Sequence, residues 1–205
     1  MSKGLRIGLT GISTSGKTTI ASMLSSEFHG RHIKGDHFFK NRYQKVPKCE
    51  FHGQIITNLE NPDATNWEKF AQTIKESSSL TFVDSFQLRV SPLVEQQIDA
   101  IIQFEYQETD LPIAVIRRVV RRGNPPPPEN YHEIDPLTNK LVWRALYYEE
   151  VVWRTAIEHP EYWKYNEGET DKPLLILSAT APLEENIKLA REFVANLLAQ
   201  QKDSK

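Results

Sequence analysis

The eight residues from Gly11 to Thr18 constrain this chain more than any other feature, because they match the phosphate-binding pattern G-x-x-x-x-G-K-[ST]. Residues 5–9 before the motif alternate like a short strand, and residues 18–25 after it carry an apolar stripe of helical period. Two glycines allow the backbone to fold around a phosphate, so that consecutive N–H groups and the helix N-terminus point at the anion. This order of strand, loop and helix predicts a P-loop and a site for a nucleoside triphosphate.

Composition narrows the classes of protein to which the chain can belong. Its 205 residues are 39% hydrophobic and 25% charged, which is ordinary for one globular domain with a buried core. A formal net charge of −2 gives no reason to expect a nucleic acid or a membrane as partner, and no apolar run approaches membrane-spanning length. A single cysteine, Cys49, cannot form an internal disulfide. We expect a cytoplasmic or nuclear protein that acts on a small molecule, with a monomer as the working assumption.

Strand-like and helix-like segments alternate along the chain, which predicts a parallel sheet flanked by helices. Strands are expected at 5–9, 32–34, 80–84, 100–104 and 174–177, and helices at 18–25, 63–77, 113–120, 140–158 and 183–200. Residues 40–62 contain Pro47, Gly53 and Pro62 and are expected to form an irregular surface segment. The predicted fold class is α/β, a P-loop NTPase fold in a single domain that spans residues 1–205.

Two carboxylates follow predicted strands and are expected at the carboxyl edge of the sheet, where ligands bind in α/β folds. Asp36 comes just after the second strand, and Asp84 ends the third. Phosphoryl transfer needs a carboxylate that orients the acceptor hydroxyl and takes its proton, a role that suits Asp36. The alternative for Asp36 is a cap of the segment that follows. Lys17 is expected to reach the β- and γ-phosphates, the Thr18 hydroxyl to ligate Mg²⁺, and Asp84 to hold a Mg²⁺-bound water.

An arginine cluster precedes the most irregular stretch of the chain, which is Gly123, Asn124 and four prolines at 125–128. Its members form two pairs that would share a helical face, Arg117 with Arg121 and Arg118 with Arg122. This arrangement is typical of a lid that closes over phosphates and neutralises the transferring group. We therefore predict an arginine-bearing lid at about residues 117–137; the alternative is a solvated basic helix face.

Two other classes of nucleotide-binding protein compete with a phosphoryl-transfer enzyme. A GTP-driven switch would carry Asn-Lys-x-Asp after a strand, whereas Asn139 and Lys140 are followed by Leu141 and Val142 and lie beyond the predicted lid. A non-catalytic nucleotide-binding protein with a decayed acceptor site stays open. A thermal-shift comparison of ATP with GTP would identify the switch, because only the switch should prefer GTP.

Five motifs follow one another in an order that is found in one group of P-loop enzymes. They are residues 11–19, Gly35-Asp36-His37-Phe38-Phe39-Lys40, Val83-Asp84-Ser85-Phe86, the arginine cluster and Val142-Trp143. This succession resembles the nicotinamide riboside kinases and, more broadly, the uridine kinase-like P-loop kinases. The resemblance covers nearly the whole chain. It implies a nucleoside-monophosphate-kinase-like fold, ATP and Mg²⁺ as cofactors, and transfer of the γ-phosphate of ATP to a ribose 5′-hydroxyl. With nicotinamide riboside as acceptor, it also implies a step of NAD biosynthesis.

The resemblance implies a role for each matching position. The nucleotide would be bound by Gly11, Ser13, Thr14, Ser15, Gly16, Lys17, Thr18, Thr19, Arg117 and Arg121, with Ser178 and Thr180 in a segment that cradles adenine. The acceptor would be bound by Asp36, Phe39, Glu60 and Arg118, with Glu60 on the ribose hydroxyls. Catalysis would fall to Asp36, Lys17, Arg117 and Arg121, and Mg²⁺ would be held by Thr18, Asp36 and Asp84.

The chain departs from these relatives mainly where the acceptor base would bind. Leu59 and Gly123 stand where nicotinamide riboside kinases place two tyrosines that sandwich the pyridinium ring. Leucine and glycine cannot supply that stacking and cation–π energy, which is about 0.5–2 kcal/mol per contact. Asp84 replaces a glutamate and Glu60 an aspartate, and residues 77–80 leave no room for a pyrimidine-gripping hairpin. We expect a ribonucleoside kinase, with nicotinamide riboside as first candidate and uridine, cytidine or another small alcohol as alternatives.

Overall fold

The computed structural model describes residues 4–41, 44–121 and 123–203, and its centre is a five-stranded parallel sheet. The strands of the chain are β1 (Arg6–Gly11), β2 (Arg31–Lys34), β3 (Lys48–Phe51), β4 (Gln54–Thr57), β5 (Thr81–Asp84), β6 (Ala100–Glu105) and β7 (Leu174–Ser178). The sheet has the order β2-β5-β1-β6-β7, and every neighbouring pair is parallel. The predicted α/β class is confirmed.

Helices cover both faces of this sheet. They are α1 (Lys17–Glu27), α2 (Trp67–Lys75), α3 (Pro92–Glu95), α4 (Leu111–Val120), α5 (Lys140–Tyr147), α6 (Arg154–Glu158) and α7 (Leu183–Asp203). Successive strand residues point to opposite faces, so Phe82 and Ile102 join one hydrophobic cluster while their neighbours Val83 and Ile101 join the other. Among the described residues, no helix combines the length and hydropathy that a transmembrane span requires.

The register of the central strands brings three chain segments to one edge of the sheet. Leu9 of β1 is paired with Asp84 of β5, and Asp84 is paired in turn with Lys34 of β2. The loop after β1, the turn after β2 and the end of β5 therefore meet at the carboxyl edge. Ligands of open α/β sheets bind at this edge, and the P-loop and Asp36 both lie there.

Residues 40–62 contain a β-hairpin, so the prediction of an irregular segment was wrong. Strands β3 and β4 pair antiparallel across a two-residue turn at His52 and Gly53, whose φ angles are +45° and +74°. Two consecutive positive φ angles match the primed turn that the twist of a tight hairpin favours. Phe51 packs edge-on against the rings of Trp143 and Tyr147, at centroid distances of 5.5 and 5.9 Å. The hairpin thereby covers the aromatic face of α5.

Two helices differ from their predicted bounds in ways that affect the site. The segment predicted as one helix at 140–158 contains a π-helical stretch, Tyr148–Trp153, between α5 and α6. Helix α4 ends at Val120, and Arg121 has an extended backbone with φ −51° and ψ 129°. The predicted sharing of a helical face by Arg117 and Arg121 was therefore wrong. The predicted pairing of Arg118 with Arg122 involves a residue outside the described part of the chain.

Candidate active site

The P-loop connects β1 to α1, and its two glycines adopt backbone angles that other residues avoid. Gly11 has a φ of +136°, and a Cβ atom there would lie 2.4 Å from the carbonyl oxygen of Phe104. Gly16 has a φ of +101° and is the N-cap residue of α1; because glycine has no side chain, it provides no capping hydrogen-bond acceptor to the helix. The first turn of α1 holds no acidic residue. Its N–H groups and positive dipole end are thus available to an anion.

Lys17 lies folded against its own loop. Its Nζ donates hydrogen bonds to the carbonyl oxygen of Ile12 at 2.9 Å and to the hydroxyl of Ser15 at 3.4 Å. Burial lowers the pKa of Lys17 to about 8, against the opposing effect of nearby carboxylates such as Asp84 and Asp36. A phosphate group at the loop would restore the full charge of this ammonium, because it would supply the missing counter-ion.

A cleft of about 280 Å³ joins the P-loop to the two predicted carboxylates and to two of the predicted arginines. Its lining residues are Ser13, Thr14, Gly16, Lys17, Thr18, Thr19, Asp36, Asp84, Ser85, Phe86, Arg117 and Arg121. Gly11 and Ser15 belong to the loop but are buried and do not line the cleft. Most residues predicted to bind phosphate, metal and the attacking hydroxyl therefore surround one space.

The two carboxylates of the cleft differ in exposure and in hydrogen bonding. Asp36 is exposed, whereas Asp84 is buried and accepts a hydrogen bond from Nε2 of His32 at 3.2 Å. Burial by itself would raise the pKa of Asp84, but hydrogen bonds from His32 and Thr18 hold it below the usual value. Asp84 is therefore ionised at neutral pH.

The oxygen donors of this cleft suit Mg²⁺. The hydroxyl of Thr18 and the carboxylates of Asp36 and Asp84 are the hard oxygen ligands that this ion prefers. In the part of the chain that the structure describes, no three His, Cys, Asp or Glu side chains cluster as a metal site. Mg²⁺ at phosphate-transfer sites commonly takes one or two carboxylates together with substrate phosphates, so the donor set fits that mode of binding.

Two tyrosines that the sequence analysis did not identify hold the P-loop from outside. The hydroxyl of Tyr148 donates to the carbonyl oxygen of Ser13 at 2.7 Å and lies 3.1 Å from the Thr14 hydroxyl. The hydroxyl of Tyr106 donates to the carbonyl oxygen of Thr14 at 2.9 Å. Thr14 has a φ of +73°, a strained conformation for a β-branched residue. The two tyrosines therefore fix the part of the loop with the greatest backbone strain.

Arg117 connects this network to the segment after β7. Its Nη1 donates to the carbonyl oxygen of Ala179 at 2.6 Å and to the hydroxyl of Tyr106 at 3.2 Å. The residues predicted to cradle adenine, Ser178 and Thr180, flank Ala179 and have hydroxyl oxygens 3.1 Å apart. They lie next to Arg117 but do not line the cleft itself.

Of the residues predicted to bind the acceptor, Asp36 lines the cleft, whereas Phe39, Glu60 and Arg118 do not. Phe39 packs against Phe86 at a centroid distance of 6.4 Å, and Phe86 lines the cleft. Glu60 is half-buried, and its backbone carbonyl accepts a hydrogen bond from the Gln87 amide. Burial raises the pKa of Glu60 to about 7; the charge of Arg118 opposes the shift and that of Asp36 adds to it.

A second cavity of about 210 Å³ adjoins the cleft at Arg121, which lines both spaces. The other lining residues are Arg118, Trp143, Arg144 and Tyr147. The rings of Trp143 and Tyr147 are stacked at a centroid distance of 5.0 Å and an interplanar angle of 5°. Arg144 was not among the predicted site residues. We refer to this space as the arginine cavity.

Comparisons with known proteins identify the fold. No family model matches the chain, and no curated protein matches it in sequence. A gluconokinase from Sinorhizobium meliloti superposes with a TM-score of 0.57 at 14% identity, over 100% of this chain and 99% of that one. A shikimate kinase from Bacteroides thetaiotaomicron gives 0.55 at 11% identity, over 93% and 98% of the two chains. A sugar kinase from Janibacter gives 0.52 at 13% identity, over 94% and 95%. The chain has the α/β P-loop NTPase fold of these small-molecule kinases.

Proposed function

We propose that this chain is an ATP- and Mg²⁺-dependent kinase that transfers the γ-phosphoryl group to a hydroxyl of a small metabolite. The observation that carries the proposal is the single cleft around the P-loop. That cleft contains an ammonium group and two arginines for the phosphates, and two carboxylates for a metal ion and an acceptor hydroxyl. Phosphoryl transfer depends mainly on positioning and charge neutralisation, and these groups supply both.

Each group of the cleft has a role in this mechanism. The loop N–H groups and Lys17, released from the Ile12 carbonyl, bind the β- and γ-phosphates. Arg117 and Arg121 neutralise charge that spreads over the equatorial oxygens in the transition state. Asp36 orients the acceptor hydroxyl and takes its proton. Mg²⁺ held by Thr18, Asp36 and Asp84 would supply further charge neutralisation at the phosphates.

We further propose that the chain forms a single domain and that residues 117–137 act as a lid over its cleft. We also propose that the protein works in the cytoplasm or nucleus. Helix α4 carries Arg117 into the cleft, and the four prolines that follow form a stiff connector. Closure of such a segment would exclude water from the transferring group, which limits hydrolysis of ATP.

The motif order supports a ribonucleoside as acceptor, with nicotinamide riboside as the first candidate and Glu60 on the ribose hydroxyls. A second candidate is a sugar, a sugar acid or another small alcohol. The fold neighbours named as gluconokinase, shikimate kinase and sugar kinase favour it by analogy. The replacement of two stacking tyrosines by Leu59 and Gly123 favours it as well.

The test is ADP release from ATP and Mg²⁺ with a panel of nicotinamide riboside, uridine, cytidine, gluconate, shikimate and small sugars. We expect selective stimulation by one acceptor. Asp36→Asn should reduce turnover by about 10²–10⁴-fold, the usual contribution of a general base, while ATP affinity changes little. Normal turnover in Asp36→Asn would remove the role assigned to this residue. ATP binding without stimulation by any acceptor would instead indicate a non-catalytic nucleotide-binding protein.

A further inference from the structure

Three guanidinium groups line the arginine cavity without a counter-ion. Within the described ranges, the side chains of Arg118, Arg121 and Arg144 form no hydrogen bond and no ion pair with another residue, and no carboxylate lines the cavity. Other arginines of the chain have such partners: Arg6, Arg89, Arg117, Arg154 and Arg191. Three of the four arginines without such a partner in the described ranges therefore lie around one space beside the phosphate cleft; the fourth, Arg31, begins β2.

This concentration of like charge is unfavourable unless something neutralises it. Arg118 on α4 and Arg144 on α5 are half-buried, so solvent screens their repulsion less than it would at an open surface. The charge of Arg118 acts on Glu60, but the two side chains form no ion pair. A bound anion would provide the counter-charge, and arginine is the side chain best shaped to bind carboxylate or phosphate in two-point contacts.

We propose that the arginine cavity binds an anionic group of the acceptor, either a carboxylate or a phosphate, so that the kinase phosphorylates an anionic hydroxyl compound. This inference rests on the proposed function and, within it, selects an anionic acceptor such as a sugar acid over nicotinamide riboside. Arg121 lines both spaces, which places the anion of the acceptor next to the cleft where the γ-phosphate would lie. Arg118 and Arg144 hold the anion, while Asp36 receives the hydroxyl.

The volume and charge of the cavity also bear on the acceptor predicted from the motifs. A cavity of about 210 Å³ has room for a small organic acid or a phosphate group. The pyridinium ring of nicotinamide riboside carries a positive charge, and three guanidinium groups would repel it. The charge of the site therefore favours an acid over a cationic nucleoside.

The experiment compares acceptors that share a hydroxyl-bearing framework and differ in whether they carry an anionic group. The carboxylate pairs are D-gluconate with D-glucitol, and shikimate with its methyl ester; the phosphate pair is D-ribose 5-phosphate with D-ribose. Binding is measured by calorimetry in Mg²⁺ and a non-hydrolysable ATP analogue, and turnover is then measured with ATP. We expect the charged member of at least one pair to bind at least about tenfold more tightly, the effect of one charge-assisted contact. The pair that responds identifies carboxylate or phosphate.

Substitutions then assign that preference to the cavity. Arg144→Met and Arg118→Met keep most of the unbranched stem and remove the guanidinium group, and should each raise the Kd of the anionic acceptor about 10- to 100-fold. Arg144→Lys should recover part of the loss, because a point charge remains. Arg154→Met is the matched control, since Arg154 is exposed and paired with Glu158 outside the cavity. The control should bind the acceptor as the unmodified protein does.

The outcomes separate this inference from the proposed kinase activity. Equal binding of charged and uncharged members in every pair would overturn the anion site. A loss of ATP affinity in Arg144→Met, with acceptor affinity unchanged, would also overturn it and assign the arginines to the nucleotide. Phosphoryl transfer to nicotinamide riboside in preference to every acid would support the proposed kinase activity and refute the anion site. Anion binding that depends on Arg144, without phosphoryl transfer to any acceptor, would support the anion site and refute the proposed kinase activity.

Discussion

The substitution Tyr148→Phe tests whether the two tyrosines outside the P-loop position it for nucleotide binding. The change removes one hydroxyl from a fully buried ring and leaves the ring itself in the core. It breaks the hydrogen bond to the carbonyl oxygen of Ser13 at 2.7 Å and the contact with the Thr14 hydroxyl at 3.1 Å. Thr14 then keeps its contacts with Tyr106 only.

The expected cost follows from these contacts. Each neutral hydrogen bond contributes about 0.5–1.5 kcal/mol, so two of them give about 1–3 kcal/mol. Ser13 is half-buried, and water can replace part of its lost contact, which favours a loss of about 1–2 kcal/mol in the free energy of unfolding. The φ of +73° at Thr14 stores about 1–3 kcal/mol of strain that the network holds in place. Relaxation of that strain would misplace the loop and raise the KM for ATP by about tenfold.

The assay combines urea unfolding with the KM for ATP, and Tyr165→Phe is the matched control. Tyr165 is a buried tyrosine of the second hydrophobic cluster, and its hydroxyl is hydrogen-bonded to Glu95, away from the P-loop. This control should lose a similar amount of stability and keep its KM for ATP. If Tyr148→Phe leaves the KM for ATP within about twofold of the unmodified value, the positioning role is refuted, even where stability falls.

Two further predictions concern groups whose pKa values are shifted. Because the pKa of Lys17 is about 8 in the free protein, this amine is about half protonated at pH 8, and ATP binding there should take up about half a proton. Calorimetry in buffers of different ionisation enthalpy measures this uptake; the same apparent enthalpy in all buffers would contradict it. The pKa of Glu60, about 7, lies above its unfolded value of 4.5, so its stabilising contribution is complete below pH 4.5 and is lost as pH rises through 7. As pH rises from about 5 to 7.5, the urea midpoint of the unmodified protein should therefore fall, and this fall should be smaller in Glu60→Gln. An equal fall in both proteins would mean that other groups cause the pH dependence.

The parts of the fold that could be predicted were those with contiguous signals. The P-loop, β1 and α1 follow from spacing within about twenty residues, and the buried strands follow from short apolar runs. The hairpin at 48–57 was not predicted, because proline and glycine, here Pro47 and Gly53, are typical of irregular structure. Gly53 in fact forms a two-residue primed turn with His52, between strands of matching length. The local signal for that hairpin was present but weak, since its strands are only four residues long.

The limits of prediction at the site have a different cause. Tyr106 and Tyr148 contact Thr14 across 92 and 134 residues of sequence, and no local pattern relates positions so far apart. Arg121 lines the cleft although it lies beyond the end of α4. The sequence predicted that Arg117 and Arg121 lie close together because of helical spacing. Both residues do line the cleft, but the backbone at Arg121 is not helical.

In the proposed function, phosphate binding and acceptor binding depend on physically different features of the sequence, so a resemblance in motifs can indicate one and not the other. Phosphate is bound largely by backbone N–H groups, so a short contiguous motif with two glycines is sufficient to specify it. The proposed acceptor side consists of side chains on separate elements, with Glu60 before α2, Arg118 on α4 and Arg144 on α5. Each can change without disturbing the loop. An Arg144→Met variant that loses the acid but keeps ATP would demonstrate this independence directly.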